Sequence, residues 1–321
     1  MPLATEDPPA GRPMVITHAN CPDGWCCEWL FRRHFGESAD YLSARYGDPV
    51  PDVTDRPHVY LADFSWKYDQ MYWLVAQARG RVTILDHHRT AEYELANVCE
   101  IRRFCGLPEP TVVFDLNHSG AYLTWKYLKD AGATDPIFAD GNPPLVVQYV
   151  QDRDLWSWRL PGSKEVNAAL SSYPKVLEVW NILHEELATQ DGYWDLFRQG
   201  AAILRAQEQK VEAAVNQAVE MTIAGHKVLV VNTTCHHSEI GERLAAGRPF
   251  GATFYEDLKR ELRVWSFRSL EGGIDVSEVA KKFGGGGHRQ AAGAQQSIYD
   301  SILSMCGTLP YLQEDQRTLA T

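Results

Sequence analysis

No apolar run in this sequence approaches the ~20 residues that a membrane-spanning helix needs, so a membrane-embedded protein is not expected. Paired Cys-x-x-Cys spacing of the structural zinc kind is also missing, although there are seven cysteines, two of them adjacent at Cys26 and Cys27. An odd, unpaired set of thiols and a start that does not read as a secretory leader point to a reducing, cytoplasmic setting. Positive charge is scarce: 31 Lys and Arg stand against 42 Asp and Glu, a formal net charge of -11. Such a chain does not coat long duplex nucleic acid through bulk electrostatics, though a local basic pocket can still hold a short anion. Internal repeats are lacking. So is any low-complexity tract beyond the Pro-rich stretch Met1 to Pro13, which reads as a disordered tail.

The rest is ordinary globular material: 321 residues, 45% hydrophobic and 23% charged, enough for about two domains. Between residues 14 and 130 short strands alternate with helical stretches. Strands are predicted at Met14 to Thr17, Val59 to Ala62, Val82 to Leu85 and Val112 to Leu116; helices at Cys26 to Phe35, Tyr68 to Arg79 and Gly120 to Asp130. That alternation predicts an α/β domain built on a parallel sheet. Leu145 to Val150 is a short apolar run that periodicity cannot assign. Tyr193 to Ile223, with Leu204, Val211, Val215 and Val219 at helical spacing, predicts one long connector helix ending near Gly225. A smaller α/β domain follows, with strands at His226 to Asn232 and Arg263 to Phe267 and a helix at Val276 to Phe283. The expected division is a tail over 1–13, a first domain over 14–190, a connector over 191–224 and a second domain over 225–321.

Three strands end in metal-ligand chemistry. The first reaches His18, with Asn20-Cys21-Pro22-Asp23-Gly24 turning tightly behind it; the second reaches Asp63; the third reaches Asp86-His87-His88. One acid at a strand end is commonplace, and Asp23 or Asp63 could simply cap the helix that follows. Three endings that share carboxylate and imidazole donors point to a divalent cation site, at the sheet edge where open α/β folds bind their ligands. Two acids further on, Asp152 and Asp154, flank Arg153 ahead of Trp156. A surface ion-pair run accounts for one of them. In the second domain Phe283 is followed by Gly284 to Gly287, His288 and Arg289. The glycine backbone can wrap an anion, and the two side chains add donors.

Taken together these residues resemble the DHH phosphoesterase superfamily, whose named motif is Asp86-His87-His88. Asp63 fits the preceding acidic strand end, Asp152 the fourth-motif acid and Trp156 its aromatic neighbour. Arg268-Ser269, the helix start Asp275 to Ala280 and the glycine-His run resemble the associated nucleic-acid-binding domain. The likeness covers roughly residues 14 to 310, and its nearest architecture is that of the nano-RNases. It implies two divalent cations, manganese foremost with magnesium and cobalt as alternatives. These are held by His18, Asp23, Asp63, His87 and Asp152, with Asp63 and Asp152 bridging and Asp86 orienting His87. Asp86, His87 and His88 are then the catalytic group, His88 touching a phosphate or departing oxygen. Arg268, Ser269, Gly285, Gly286, Gly287 and His288 hold the substrate, and Trp156, Trp158 and Phe283 are candidates for base stacking.

The implied activity is hydrolysis of dinucleotides and other very short oligonucleotides to mononucleotides. A 3′-phosphoadenosine-5′-phosphate phosphatase, a cyclic-dinucleotide phosphodiesterase and a non-catalytic nucleotide sensor are the alternatives. No protein partner is implied beyond a second copy of the chain. One motif departs from the family pattern: the first carries Cys21-Pro22-Asp23 where two acids usually follow the histidine. A softer Cys21 donor shifts metal preference away from hard, oxygen-loving ions.

Overall fold

The computed structural model describes residues 10–98 and 108–300. The first nine residues of the expected tail and the end of the second expected domain, 301–321, lie outside them. The chain divides into two compact units between Leu204 and Arg205.

The first unit is built on a wholly parallel sheet. Its strands are β1 (Met14–His18), β2 (Asp40–Ala44), β3 (Val59–Ala62), β4 (Val82–Asp86) and β5 (Thr111–Phe114), in the order β2-β1-β3-β4-β5. The central strands are short and apolar because both of their faces are covered, as parallel sheets require. Val15, Ala62 and Leu85 pack on one side with α1 (Pro22–Phe35), α4 (Gly120–Asp130) and α5 (Leu145–Asp154). Ile16, Leu61 and Ile84 pack on the other with α2 (Tyr68–Gln77) and α3 (Arg89–Val98). Helices α6 (Ser163–Ser172) and α7 (Leu177–Leu187) complete the first layer. The strand order reverses between β1 and β3, which is the switch point where doubly wound sheets open a crevice. Thr17 pairs with Ala62 and Ala62 with Leu85, so His18, Asp63 and Asp86 leave the sheet at one level.

The unassigned run at Leu145 to Val150 is the first half of α5, with Val146, Val147 and Val150 buried at helical spacing. The expected connector over 191–224 is helical only in part. Helix α8 spans Gln190–Val215, and Val219–Ile223 is a strand, β6. It pairs antiparallel with β7 (His226–Asn232) across Ala224 and Gly225, whose φ values of 53° and 89° are those of a hairpin turn. Gly225 therefore serves a hairpin and not a helix cap. Alternation in Val219-Glu220-Met221-Thr222-Ile223 is the strand signal that the Val211-Val215-Val219 spacing obscures.

The second unit has a mixed six-stranded sheet in the order β10-β11-β9-β8-β7-β6. Its further strands are β8 (Gly251–Asp257), β9 (Leu262–Arg268), β10 (Gly286–Gly287) and β11 (Ala291–Ser297). Helices α9 (His237–Leu244) and α10 (Val276–Lys281) pack on it, with Trp265, Phe267, Val276 and Ala280 buried together.

Candidate metal centre

The β1 end is held in a tight reversal. Beyond His18 the chain passes Asn20, at φ 59°, and enters α1 with Pro at its first turn, Asp23 beside it. A Cβ on Gly24 would lie 2.3 Å from the His18 carbonyl oxygen, so this return is closed to any side chain. Asp63 leaves β3 at φ 57° while its N–H still bonds the Leu85 carbonyl at 2.9 Å. Aspartate is among the few residues that tolerate that conformation.

Asp86 closes β4. Its Oδ1 accepts the backbone N–H groups of His87 (2.7 Å) and His88 (3.0 Å) and the His88 Nδ1 (2.8 Å), and its Oδ2 accepts Ser65 Oγ (2.7 Å). Burial raises the Asp86 pKa, but His88, Ser65 and His87 outweigh it and hold the group at about 2. Asp86 is thus an ionised acceptor, and the His88 Nδ1 carries the proton between them. The expectation that Asp86 orients the His87 ring is corrected: the ring it holds is that of His88.

His87 turns the other way. Its Nε2 lies 3.0 Å from Asp63 Oδ1, 3.4 Å from Asp154 Oδ2 and 3.8 Å from Asp23 Oδ2. Burial lowers the His87 pKa, yet Asp154, Asp63 and Asp23 drive it up to about 10. Burial pushes Asp23 well above the carboxylate range, with Asp63 and Asp154 adding to the effect and His87 opposing it. Asp154 is raised by burial too, against the pull of His87. At Asp63 burial is outweighed by His18 and His87, and the group sits well below the usual range.

Asp152, the expected fourth-motif ligand, does not join this group. Its carboxylate accepts the backbone N–H groups of Arg159 (2.9 Å) and Leu160 (3.1 Å) and so ties down the loop after α5. Asp154 faces the centre in its place. Trp156 and Trp158, both half-buried and both at φ 53°, pack edge to face in that loop with centroids 4.8 Å apart.

Among the described residues of the first unit two donor triads emerge, each with ligand atoms within 4.8 Å of one another: His18, Cys21 and Asp63, and Asp23, Asp63 and His87. Asp63 belongs to both. Cys21 stands with His18, and Asp23 with His87. The residues suit divalent cations on a direct test. His18 Nδ1 and one oxygen each of Asp23, Asp63 and Asp154 are buried without a hydrogen-bond partner among the described residues. Orphaned, crowded carboxylates of this kind are costly unless a cation satisfies them.

Helix α4 completes the pocket from above. The Ala121 N–H donates to Asp23 Oδ1 (3.1 Å), placing that carboxylate at the positive end of the helix. A Cβ on Gly120 would lie 2.5 Å from the Asp63 Cβ and 2.9 Å from Asp23 Oδ2. The parts played by Gly120 and Ser65 are not expected from the sequence, which leaves Asp154 as the alternative to Asp152. The signal for Gly120 was its place just after Ser119, a residue type that starts helices. A cavity of about 480 Å³ opens beside His18, lined among others by Asn20, Trp25, Arg45 and Lys175.

In the second unit the glycine run leaves a turn at Gly284 (φ 72°) and its last two residues form the short strand β10. Gly286 pairs with Gly293 and Gly287 with Ala292. A Cβ on Gly285 would lie 2.0 Å from the Gly293 carbonyl oxygen, so close packing against β11 explains the glycine there. His288 begins the turn into β11, its N–H donating to the Ala291 carbonyl at 2.7 Å. Arg268 sits at the end of β9 opposite Ala291, donating to Ser238 Oγ (2.8 Å) and to the Phe267 carbonyl (3.0 Å). Burial pulls its pKa down to about 10. The Ser269 N–H donates to the Gln290 carbonyl at 3.1 Å, so Arg268, Ser269 and the turn at 288–290 share one end of this sheet.

The parallel sheet carrying His18, Asp63 and Asp86-His87-His88 at its strand ends is the arrangement that the resemblance to the DHH phosphoesterases implies. Among individual proteins, the chain is similar to oligoribonuclease NrnB of Bacillus subtilis, 28% identical over 242 residues, 71% of this chain and 55% of that one. It is also similar to uncharacterized protein R106 of Acanthamoeba polyphaga mimivirus, 26% identical over 325 residues, 94% of this chain and 70% of that one. The chain thus spans between about half and 70% of the length of these relatives. Among solved structures, RecJ of Thermus thermophilus in complex with Mn2+ aligns over 91% of this chain and 50% of its own, at 17% identity and TM-score 0.47. No family model matches. No helix of the described residues is long and apolar enough to cross a membrane.

Proposed function

We propose that this protein hydrolyses the phosphodiester bond of dinucleotides and other very short oligonucleotides, releasing mononucleotides. The observation that carries the reading is the pair of donor triads sharing Asp63 at the switch point of the sheet. The similarity to a protein named an oligoribonuclease supports the substrate class.

Divalent cations bound there, of which manganese is the leading candidate, supply charge neutralisation at the phosphate and lower the pKa of water to near neutrality. His18, Asp23, Asp63, His87 and Asp154 are the residues that would hold them. Burial opposes protonation of His88, but ionised Asp86 holds its Nδ1–H and favours the protonated ring. His88 therefore acts through Nε2, whose N–H in the imidazolium form donates to a phosphate oxygen or to the departing oxygen. Arg45 and Lys175 give the cavity beside His18 two cations for a nearby phosphate. In the second unit Arg268, Ser269 and His288 are the candidates for binding nucleotide, while Gly285 to Gly287 allow the turn that carries His288.

The test is hydrolysis of a 5′-labelled dinucleotide with Mn2+, run beside a 24-mer, a cyclic dinucleotide and 3′-phosphoadenosine-5′-phosphate. Preferential turnover of the dinucleotide is expected. Preference for another member of the panel replaces the substrate class, and binding of the dinucleotide with turnover of none replaces the enzyme with a sensor.

A further inference from the structure

The two triads differ chemically. His18, Cys21 and Asp63 offer nitrogen, sulfur and oxygen; Asp23, Asp63 and His87, with Asp154 Oδ2 3.4 Å from His87 Nε2, form an oxygen-rich set. Cys21 takes the N-cap position of α1 with extended backbone (φ -103°, ψ 136°) and makes no side-chain cap. Ser, Thr, Asn or Asp would normally hold a helix N–H there. The backbone is pinned from two sides, because the Cys21 carbonyl accepts the Trp25 N–H (3.1 Å) and Lys175 Nζ (3.2 Å). The sulfur is left within reach of His18 and Asp63. An independent sign of a ligand is the Asp63 carboxylate, 1% exposed, whose Oδ2 has no hydrogen-bond partner among the described residues and stands 3.6 Å from His18 Nδ1.

We propose that Cys21 is a metal ligand and that the centre is asymmetric. The His18–Cys21–Asp63 subsite takes a borderline, thiolate-accepting cation such as Zn2+ or Co2+. The Asp23–Asp63–Asp154–His87 subsite takes a harder one such as Mn2+. Thiolate ligands select in this way, and carboxylates favour the hard ions. As the cation binds, the Cys21 S–H bond breaks, the sulfur keeps the electron pair for the cation, and the proton leaves to solvent. This inference rests on the reading of the strand ends as a metal centre and goes beyond it in assigning the sulfur.

The experiment is a Co2+ titration of the metal-free full chain, followed by absorption, with bound metal counted by equilibrium dialysis. The expected result is a near-ultraviolet thiolate-to-cobalt charge-transfer band that saturates with one of two bound ions. Cys21→Ser abolishes the band while one Co2+ still binds, and weakens Zn2+ binding about tenfold or more, the scale set by outer-shell partners alone. Cys21→Asp, which supplies a hard donor at the same position, also loses the band and serves if the serine variant does not fold. Cys235→Ser, altering an exposed thiol of the second unit, keeps the band. Two bound Co2+ without the band, or a band that survives both Cys21 variants, overturns the assignment and leaves the metal centre standing. Failure to bind Co2+ or Mn2+ at all overturns both.

Discussion

Asp152 and Asp154 show how much depends on a single residue step. They lie two positions apart on α5, about 200° around a helix and so on different faces. One acid faces the loop it secures, the other the metal centre. The sequence shows both acids plainly, but not the helix beneath them, because the apolar run that begins α5 is too short to type. Without that helix the facing of each acid is undetermined, and motif position favours Asp152 where the structure turns Asp154 towards His87. Asp154→Asn is expected to cut metal affinity about 10–100-fold with unchanged circular dichroism, as equilibrium dialysis would measure. Asp152→Ala leaves the Arg159 and Leu160 N–H groups without an acceptor, and is expected to cost about 2 kcal/mol in urea unfolding with metal binding retained. The reverse pattern would return the ligand role to Asp152.

At the scale of elements, β1, β3 and β4 were legible because strands buried on both faces are short unbroken apolar runs that end where chemistry begins. The β6 hairpin and the pairing of the glycine run were not: the helical spacing of Val211, Val215 and Val219 masks the alternation of β6, and glycines carry no side-chain pattern from which a strand can be read. The helix α4 start shows what such packing demands. Alanine is a good helix former, yet Gly120→Ala would drive its Cβ into Asp63 and Asp23; a loss of about 1–3 kcal/mol is expected. A thermal melt beside a metal titration checks it, and wild-type values in both would mean that α4 gives way without cost. A second prediction concerns His58, just before β3, whose ring bonds Thr83 Oγ1 at 2.9 Å. Burial, with Arg81 adding to it, lowers its pKa to about 4. The unfolded chain, with a pKa of ~6.5, binds that proton first. Stability is therefore full above pH ~6.5 and falls as pH drops towards the folded value, by about 1–2 kcal/mol once partial exposure is discounted. His58→Gln should flatten that slope in urea midpoints taken at intervals between neutral and acidic pH. An unchanged slope assigns the acid sensitivity to other groups.

For the whole molecule, the net charge of -11 leaves attraction of an anionic substrate to local cations and to the metal centre. The same centre concentrates repulsion among Asp23, Asp63 and Asp154 inside the first unit. Cations that bind only the folded state contribute about 2.7 kcal/mol at a hundredfold excess over Kd. Chelation should lower the melting temperature of the first unit by roughly 5–10 °C, and calorimetry with and without EDTA measures it. An unshifted transition would mean that no cation supports the fold. The left-handed backbone at Asp63 sets a boundary on how this protein can change. Glycine and asparagine also fit there, but neither carries a charge, and a longer acid would strain the turn out of β3. The shared carboxylate is thus nearly closed to variation. Any change in metal preference must run through neighbours with ordinary backbones, and Cys21, at φ -103°, is one of them.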